Sequence, residues 1–333
     1  MVNEPGSFIG AKRDRLVVKR GGNVVVEIAA SQLSCVYIAT RGSTLSCSAM
    51  RLLLRNHVNV VVLDGSGRPV GRLMPFIKRG LRTVEEQISA VRDERGTRLA
   101  KSFAVAKVTN QANLLRSLSY NRRTSSLNLA DELYDLSIKV RRNVKPIQEL
   151  AGDLAAIRQE VVRLEAEAAE IYWSGIASVL REMGIDFPGR KKRFENPDDP
   201  MNMVLNYGYG ILATRCTLSL ELAGLDPFRG FLHVNSPRRP SLAMDVMEEF
   251  RQSVVDRAAL KVLRENGKEI VKGRELKREA RKTVLQAVTE RFRQKVTFRD
   301  RSLPIEHHIL LQARRIAVYL LRKSEEYHGF VER

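Results

Sequence analysis

Three acidic side chains and one histidine, from the middle of this 333-residue chain onward, could do chemistry together: Glu165, His233, Asp245 and Glu248. Glu165 sits beside an apolar stripe of Leu154, Ile157, Val161, Leu164, Ala168 and Ile171, whose spacing of three and four defines one buried face of a helix. Its neighbours one turn away, Val161, Val162, Ala168 and Ala169, are all apolar, so an ionised carboxylate there needs a cation or a donor beside it. A buried ion pair or a snorkelling side chain meets that need as well as a metal does. His233 closes the extended piece Gly230-Phe231-Leu232-His233, where a hydrogen-bonded structural histidine fits equally. Asp245 and Glu248 are three apart on a short helix and share a face, although a helix dipole tolerates early acidic residues without any metal. One imidazole with carboxylates and no thiolate suits Mg²⁺ or Mn²⁺ better than structural zinc. Beside a basic surface such an ion points to phosphodiester chemistry, in which it polarises a phosphoryl oxygen. Spacing alone leaves open whether these side chains converge.

The elements that must position them fall into two parts, an α+β arrangement with a β-rich domain over residues 1–78 and a large helical domain over 79–333. In the first part Leu16-Val17-Val18 and Val24-Val25-Val26 flank the turn Gly21-Gly22-Asn23, and Cys35-Val36-Tyr37-Ile38 follows. A short helix over 46–56 leads to a strand over 58–63 and the turn Asp64-Gly65-Ser66-Gly67. Beyond Pro75 and Gly80 the apolar residues recur every three or four positions almost to the C-terminus. One helix is expected to start at Asp199-Pro200, with Asp as cap and Pro in the first turn, and to end at Ala223-Gly224. Gly208 and Gly210 inside it each cost about 1 kcal/mol relative to Ala, which predicts close approach of another backbone or of a ligand. The polar stretch 188–200 breaks the helical part and is expected to be mobile. Cys35, Cys47 and Cys216 form no C-x-x-C pair and read as ordinary buried thiols.

Composition narrows the function. Lys and Arg number 57 against 38 Asp and Glu, a net charge of +19 that favours a polyanionic partner, nucleic acid before an acidic membrane surface. No apolar run is long enough to cross a bilayer and no secretion signal opens the sequence, so a cytoplasmic protein is expected. A G-x-x-x-x-G-K-[ST] loop, a Rossmann fingerprint, H-E-x-x-H and G-x-S-x-G are all missing, which leaves nucleotide hydrolysis and the common hydrolase designs without support.

Four segments taken in order resemble the CRISPR-associated protein one family of spacer-acquisition integrases. They are Leu164-Glu165-Ala166-Glu167-Ala168-Ala169 with Tyr172-Trp173, Leu205-Asn206-Tyr207-Gly208-Tyr209, Ala223-Gly224-Leu225-Asp226-Pro227 through Gly230-Phe231-Leu232-His233, and Asp245-Val246-Met247-Glu248-Glu249-Phe250-Arg251. The N-terminal part adds Val61-Val62-Leu63-Asp64-Gly65 and Gly71-Arg72-Leu73. The resemblance implies that Glu165, His233 and Glu248 are metal ligands for Mg²⁺ or Mn²⁺, with Asp245 an auxiliary acid or base lining the site and Tyr209 near a reacting DNA end. Ala166 stands where many members have Gly, and Glu248 where many have Asp; neither change removes a ligand type. The implied reaction is attack of the 3′-hydroxyl of a short protospacer duplex on a phosphodiester of the CRISPR repeat, with hydrolysis of DNA as the same chemistry using water. Implied partners are DNA, a second copy of the chain docked through the β-rich domains, and a dimer of the small ferredoxin-like second CRISPR-associated protein. Arg190, Lys191, Lys192, Arg193, Arg238 and Arg239 are the basic residues expected to meet DNA, ahead of Arg122-Arg123 and the run 272–282, and phosphate contacts of this kind carry little sequence information. Two rivals use the same residues differently: a non-catalytic DNA-binding scaffold whose acids merely pair with arginines, and a repair nuclease for branched DNA.

Overall fold

The computed structural model describes residues 2–33, 35–63, 69–75, 80–191, 195, 197–237 and 239–332. The chain divides into two compact units, Met1–Lys78 and Arg79–Arg333, the first strand-rich and the second mostly helical. Asp64 to Gly67, Lys192, Arg193 and Arg238 lie outside the described residues.

In the first unit β1 (Ser7–Lys12), β2 (Arg15–Arg20) and β3 (Asn23–Ala29) form an antiparallel meander. Gly21 and Gly22 close the β2–β3 turn at φ +55° and +83°, angles that a side chain resists. β4 (Cys35–Ile38) runs parallel to β6 (Asn59–Leu63), while β5 (Thr44–Leu45) runs parallel to β1 and β7 (Pro69–Leu73) antiparallel to β6. Helix α1 (Cys47–Arg55) starts where Ser46 Oγ accepts the Ala49 N–H at 3.2 Å. Alternation along the strands buries Ile9, Leu16, Val18, Val36 and Val60 against Ala49 and Leu53 of α1. β3 lies at a sheet edge and leaves Val24, Val25 and Val26 about half exposed.

In the second unit α2 (Leu81–Ala90) precedes the long α3 (Glu94–Tyr120), which packs with α4 (Leu127–Arg141), α5 (Val144–Glu149) and α6 (Leu154–Glu182). α6 buries Leu154, Ile157, Val161, Leu164 and Ala168 as the spacing predicts; then Tyr172 takes the buried position and Ile171 is only half-buried. Helix α7 (Pro200–Leu222) begins with Asp199 accepting the Asn202 N–H at 2.8 Å and ends before Gly224 at φ +78°. It is apolar nearly all round and runs through the core, as such a helix must. α8 (Ser241–Glu248) leads into a π-helical turn, Arg251–Asp256, and then α9 (Arg257–Asn266). Two small hairpins, β8 (Val271–Lys272) with β9 (Glu275–Leu276) and β10 (Lys295–Phe298) with β11 (Arg301–Pro304), flank α10 (Arg278–Arg293), and α11 (Ile305–Leu320) follows. Among the described residues no helix is long and apolar enough to cross a membrane.

Two expectations need correction. Gly208 is crowded by a side chain and not by a backbone: a Cβ there would sit 2.6 Å from Val255 Cγ1 in the π-helical turn. The cysteines are not all buried either: Cys216 is, with burial pushing its thiol pKa up, but Cys35 is half-buried and Cys47 is exposed at the first position of α1. Helix α1 buries Ala49 and Leu53, and Cys47 lies off that face.

Candidate metal centre

His233 is held by one carboxylate. Asp245, fully buried on α8, accepts the backbone N–H of Phe231 at 2.6 Å and of Leu232 at 3.0 Å on Oδ2. Its Oδ1 accepts the backbone N–H of His233 at 2.8 Å and lies 2.7 Å from His233 Nδ1. A carboxylate has about four acceptor positions, and all four are committed here. The approach is close enough to demand glycine, since a Cβ on Gly230 would stand 2.8 Å from Asp245 Oδ2. Arg158 on α6 donates to the Phe231 carbonyl at 2.9 Å, and Gln87 on α2 donates to the carbonyls of Asp226 and Arg229 at 2.8 and 2.7 Å. The loop before α8 is therefore fixed from three sides.

With Nδ1 engaged by Asp245, the free imidazole nitrogen is Nε2, which faces Glu248 Oε1 at 3.8 Å. Glu248 is 2% exposed; Arg251 reaches its Oε1 at 2.8 Å, and Lys107 on α3 lies 2.9 Å from its Oε2. That second contact is an ion pair without the angle of a hydrogen bond, so the buried Oε2 receives no directed donor. The Lys107 ammonium also hydrogen-bonds Glu165, so carboxylates from α6 and α8 meet at one cation on α3. Among the described residues no three carboxylate, imidazole or thiolate groups already form a metal cage. The ammonium between Glu165 and Glu248 occupies the space where their oxygens would converge.

Burial by itself would raise the Glu248 pKa, but Arg251, Lys107 and His233 outweigh it and bring it down to about 2. Burial would lower the pKa of His233, yet the hydrogen bond to Asp245 and the charges of Asp245, Glu248 and Glu165 carry it upward. Lys107 follows the same pattern, with burial opposed and overcome by Glu165 and Glu248. The donor set suits a hard divalent ion. One imidazole is oriented through its far nitrogen by a carboxylate, which is the support metal-ligating histidines ordinarily have, and a buried carboxylate oxygen lacks a directed partner.

The remaining expected residues are placed differently. All the acceptor positions of Asp245 are taken by Phe231, Leu232 and His233, and it stands behind the imidazole on its Nδ1 side. Tyr209 is 7% exposed and donates its hydroxyl to Asp256 at 2.6 Å. Its ring supports Arg251, whose guanidinium carbon is 4.5 Å from the ring centroid. Tyr172 donates to the other oxygen of Asp256 at 2.7 Å, and burial followed by the Asp256 charge pushes both tyrosine pKa values well up. Arg190 is folded inward onto Asn202 and Asn206 at 2.8 and 2.7 Å, and Lys191 is half-buried; Arg239 is exposed. Lys107 and Arg251 were not singled out from the sequence as site residues. The apolar-neighbour signal used for Glu165 is only half present at Lys107, whose neighbours one turn away are Phe103 and Ala104 on one side but Asn110 and Gln111 on the other; the fold buries all four.

Comparison with known proteins bears on this arrangement. The family model described as "CRISPR associated protein Cas1" matches residues 1–290. "CRISPR-associated endonuclease Cas1 1" of Archaeoglobus fulgidus is 36% identical over 343 aligned positions, covering 98% of this chain and 97% of that protein. A solved structure described as "Casposase bound to integration product" superposes with a TM-score of 0.80 at 23% identity, over 98% of this chain and 91% of the other. Another, described as "Cas6-RT-Cas1--Cas2 complex", gives 0.70 at 22% identity over 99% of this chain and 35% of the other. At such identities the structural likeness speaks for the fold.

Proposed function

The chain belongs to the CRISPR associated protein Cas1 family, and on that premise we propose that it is a divalent-metal-dependent DNA integrase and endonuclease of CRISPR adaptation. It joins the 3′-hydroxyl of a short duplex to a phosphodiester of the repeat. The observation that carries this reading is that Glu165 and Glu248 meet at one cation, the Lys107 ammonium, while the His233 imidazole presents Nε2 toward Glu248 at 3.8 Å. Glu165, His233 and Glu248 would hold Mg²⁺ or Mn²⁺, which when bound supplies charge neutralisation at a phosphoryl oxygen and eases deprotonation of the attacking hydroxyl or water.

The chain's own residues do the rest. Asp245 keeps the proton of the neutral imidazole on Nδ1, so that the Nε2 lone pair faces the site. Arg251, rigidly stacked over Tyr209, holds Glu248 and presents a fixed positive charge where negative charge gathers on a crowded phosphorus. Exchange of one phosphodiester for another needs positioning and charge more than an energy source, in keeping with the missing phosphate-binding loop. The net charge of +19 and the exposed Arg239 favour a DNA backbone as the ligand. The half-exposed valines of edge strand β3 support a homodimer through the β-rich unit, and the second CRISPR-associated protein, a small ferredoxin-like dimer, is the proposed further partner.

Glu165→Gln and His233→Ala are expected to leave duplex affinity nearly unchanged while abolishing Mn²⁺-dependent strand transfer on supercoiled repeat DNA. Equal activity in variant and parent would remove the enzyme and leave a DNA-binding scaffold.

A further inference from the structure

The carboxylates of Glu165 and Glu248 already share a cation, and that cation belongs to the protein. We propose that Lys107 is the resident counter-ion of the metal centre: its ammonium holds Glu165 and Glu248 together until a divalent ion displaces it, and the displaced ammonium then serves the phosphodiester. This rests on the metal reading above and adds that ion and nucleic acid assist each other's binding through one lysine.

The argument is steric and electrostatic. Lys107 contacts both carboxylates with its side chain 13% exposed, and Glu248 is 2% exposed, so an ammonium and a divalent ion cannot both touch those oxygens. The other cation at the site cannot yield, because Arg251 is clamped between Glu248 at 2.8 Å and the Tyr209 ring. Lysine is suited to move, as a point charge on a flexible four-carbon stem. Charge then sets the coupling. Glu165, Asp245 and Glu248 against Lys107 and Arg251 leave one negative charge when His233 is neutral. A divalent ion turns that into one positive charge, and one phosphodiester brings it to zero. Ion binding is therefore incomplete without DNA. Without Lys107 the site starts at two negative charges, the ion alone neutralises it, and a phosphodiester becomes a burden.

The test is Mn²⁺ calorimetry on the full chain, with and without a short DNA duplex, comparing the parent with Lys107→Met and using Glu165→Gln as the reference for ions held by the duplex itself. In the parent, duplex is expected to tighten Mn²⁺ binding. Lys107→Met is expected to bind Mn²⁺ without DNA at least tenfold more tightly, since even at the dielectric of bulk water a unit charge about 4 Å from a divalent ion is worth roughly thirtyfold. The tightening by duplex should disappear or reverse in that variant. Unchanged affinity, or the same tightening by duplex, overturns the role of Lys107 while the metal reading stands. Absence of any Mn²⁺ binding in the parent that Glu165→Gln removes overturns both. Reductive methylation of the unaltered protein gives an answer that does not depend on the variant folding: without duplex, Lys107 should be labelled faster at saturating Mg²⁺ than without the ion, and equal labelling refutes the displacement.

Discussion

Asp245→Asn separates a positioning carboxylate from a structural bystander. The asparagine keeps the shape of Asp245 and one of its two acceptor oxygens. With the amide nitrogen toward Phe231 and Leu232 it opposes two backbone N–H donors now 2.6 and 3.0 Å from Oδ2, and neither can turn away. With the nitrogen toward His233 it opposes one backbone N–H, while the imidazole can answer by moving its proton from Nδ1 to Nε2. The second orientation costs less and is the one expected. Losing one hydrogen bond to a charged acceptor costs about 1.5–3 kcal/mol, which in a domain of this size lowers the thermal midpoint by roughly 3–6 °C. The larger consequence is at the site: an Nε2 that carries the proton offers no lone pair, and loss of such a supporting contact weakens ion affinity by about 10–100-fold. Differential scanning calorimetry on the ion-free protein and Mn²⁺ titration read the two effects separately. A variant that melts with the parent and binds Mn²⁺ within threefold of it would refute the idea that Asp245 sets the imidazole tautomer.

Gly208→Ala is expected to destabilise the fold by about 1–3 kcal/mol through overpacking against Val255, and Val255→Ala in the same chain should recover most of that in urea unfolding. Glu249 is fully buried, and burial raises its pKa to about 7 despite hydrogen bonds from Tyr327, Phe330 and Gln312. Because the folded state holds that proton more tightly than the unfolded chain, the associated stability is full below about pH 4.5 and is lost as pH rises through 7, roughly 3 kcal/mol in all; urea midpoints should fall less between pH 5 and 8 in Glu249→Gln than in the parent. Asn110 is 2% exposed and binds the carbonyls of Glu249 and Phe330 at 2.8 and 2.9 Å and the N–H of Glu332 at 2.9 Å. Asn110→Ala should therefore cost about 2–4 kcal/mol of unfolding free energy by freeing Phe330 and Glu332, near the C-terminus, from α3; a loss under 0.5 kcal/mol would contradict that anchoring role.

How far the sequence could be read depended on whether the determining chemistry is local. The limits of α7 were legible because an Asp cap, a first-turn Pro and a terminal Gly act within a few residues of themselves. The buried face of α6 was legible up to Ala168; the shift from Ile171 to Tyr172 was not, because the hydroxyl of Tyr172 is drawn inward by Asp256, 84 positions away. Strands of two to four residues, such as β5, β8 and β9, are too short for any periodicity to register. The hydroxyl partner of Tyr209 was hidden for a related reason: Asp256, the buried acid that accepts from it, lies 47 positions away.

The same distinction explains the candidate site. Residue types picked out Glu165, His233, Asp245 and Glu248, since carboxylates in apolar surroundings must be compensated by something. What compensates them comes from a third helix. Lys107 lies 58 positions before Glu165 and reaches a carboxylate on α8 as well, so no spacing rule connects the three. A sequence pattern can show that a charge needs a partner; the fold decides which partner, and here it supplies one that can be exchanged. An Arg at 107 would keep the charge of a buried ion pair, whereas a single ammonium on a flexible stem can leave without dismantling its surroundings. Lys107→Arg therefore separates the two accounts by Mn²⁺ affinity, the larger guanidinium costing some stability in both: if the pair is only structural, Mn²⁺ binding follows the parent, and if the cation must yield, it weakens.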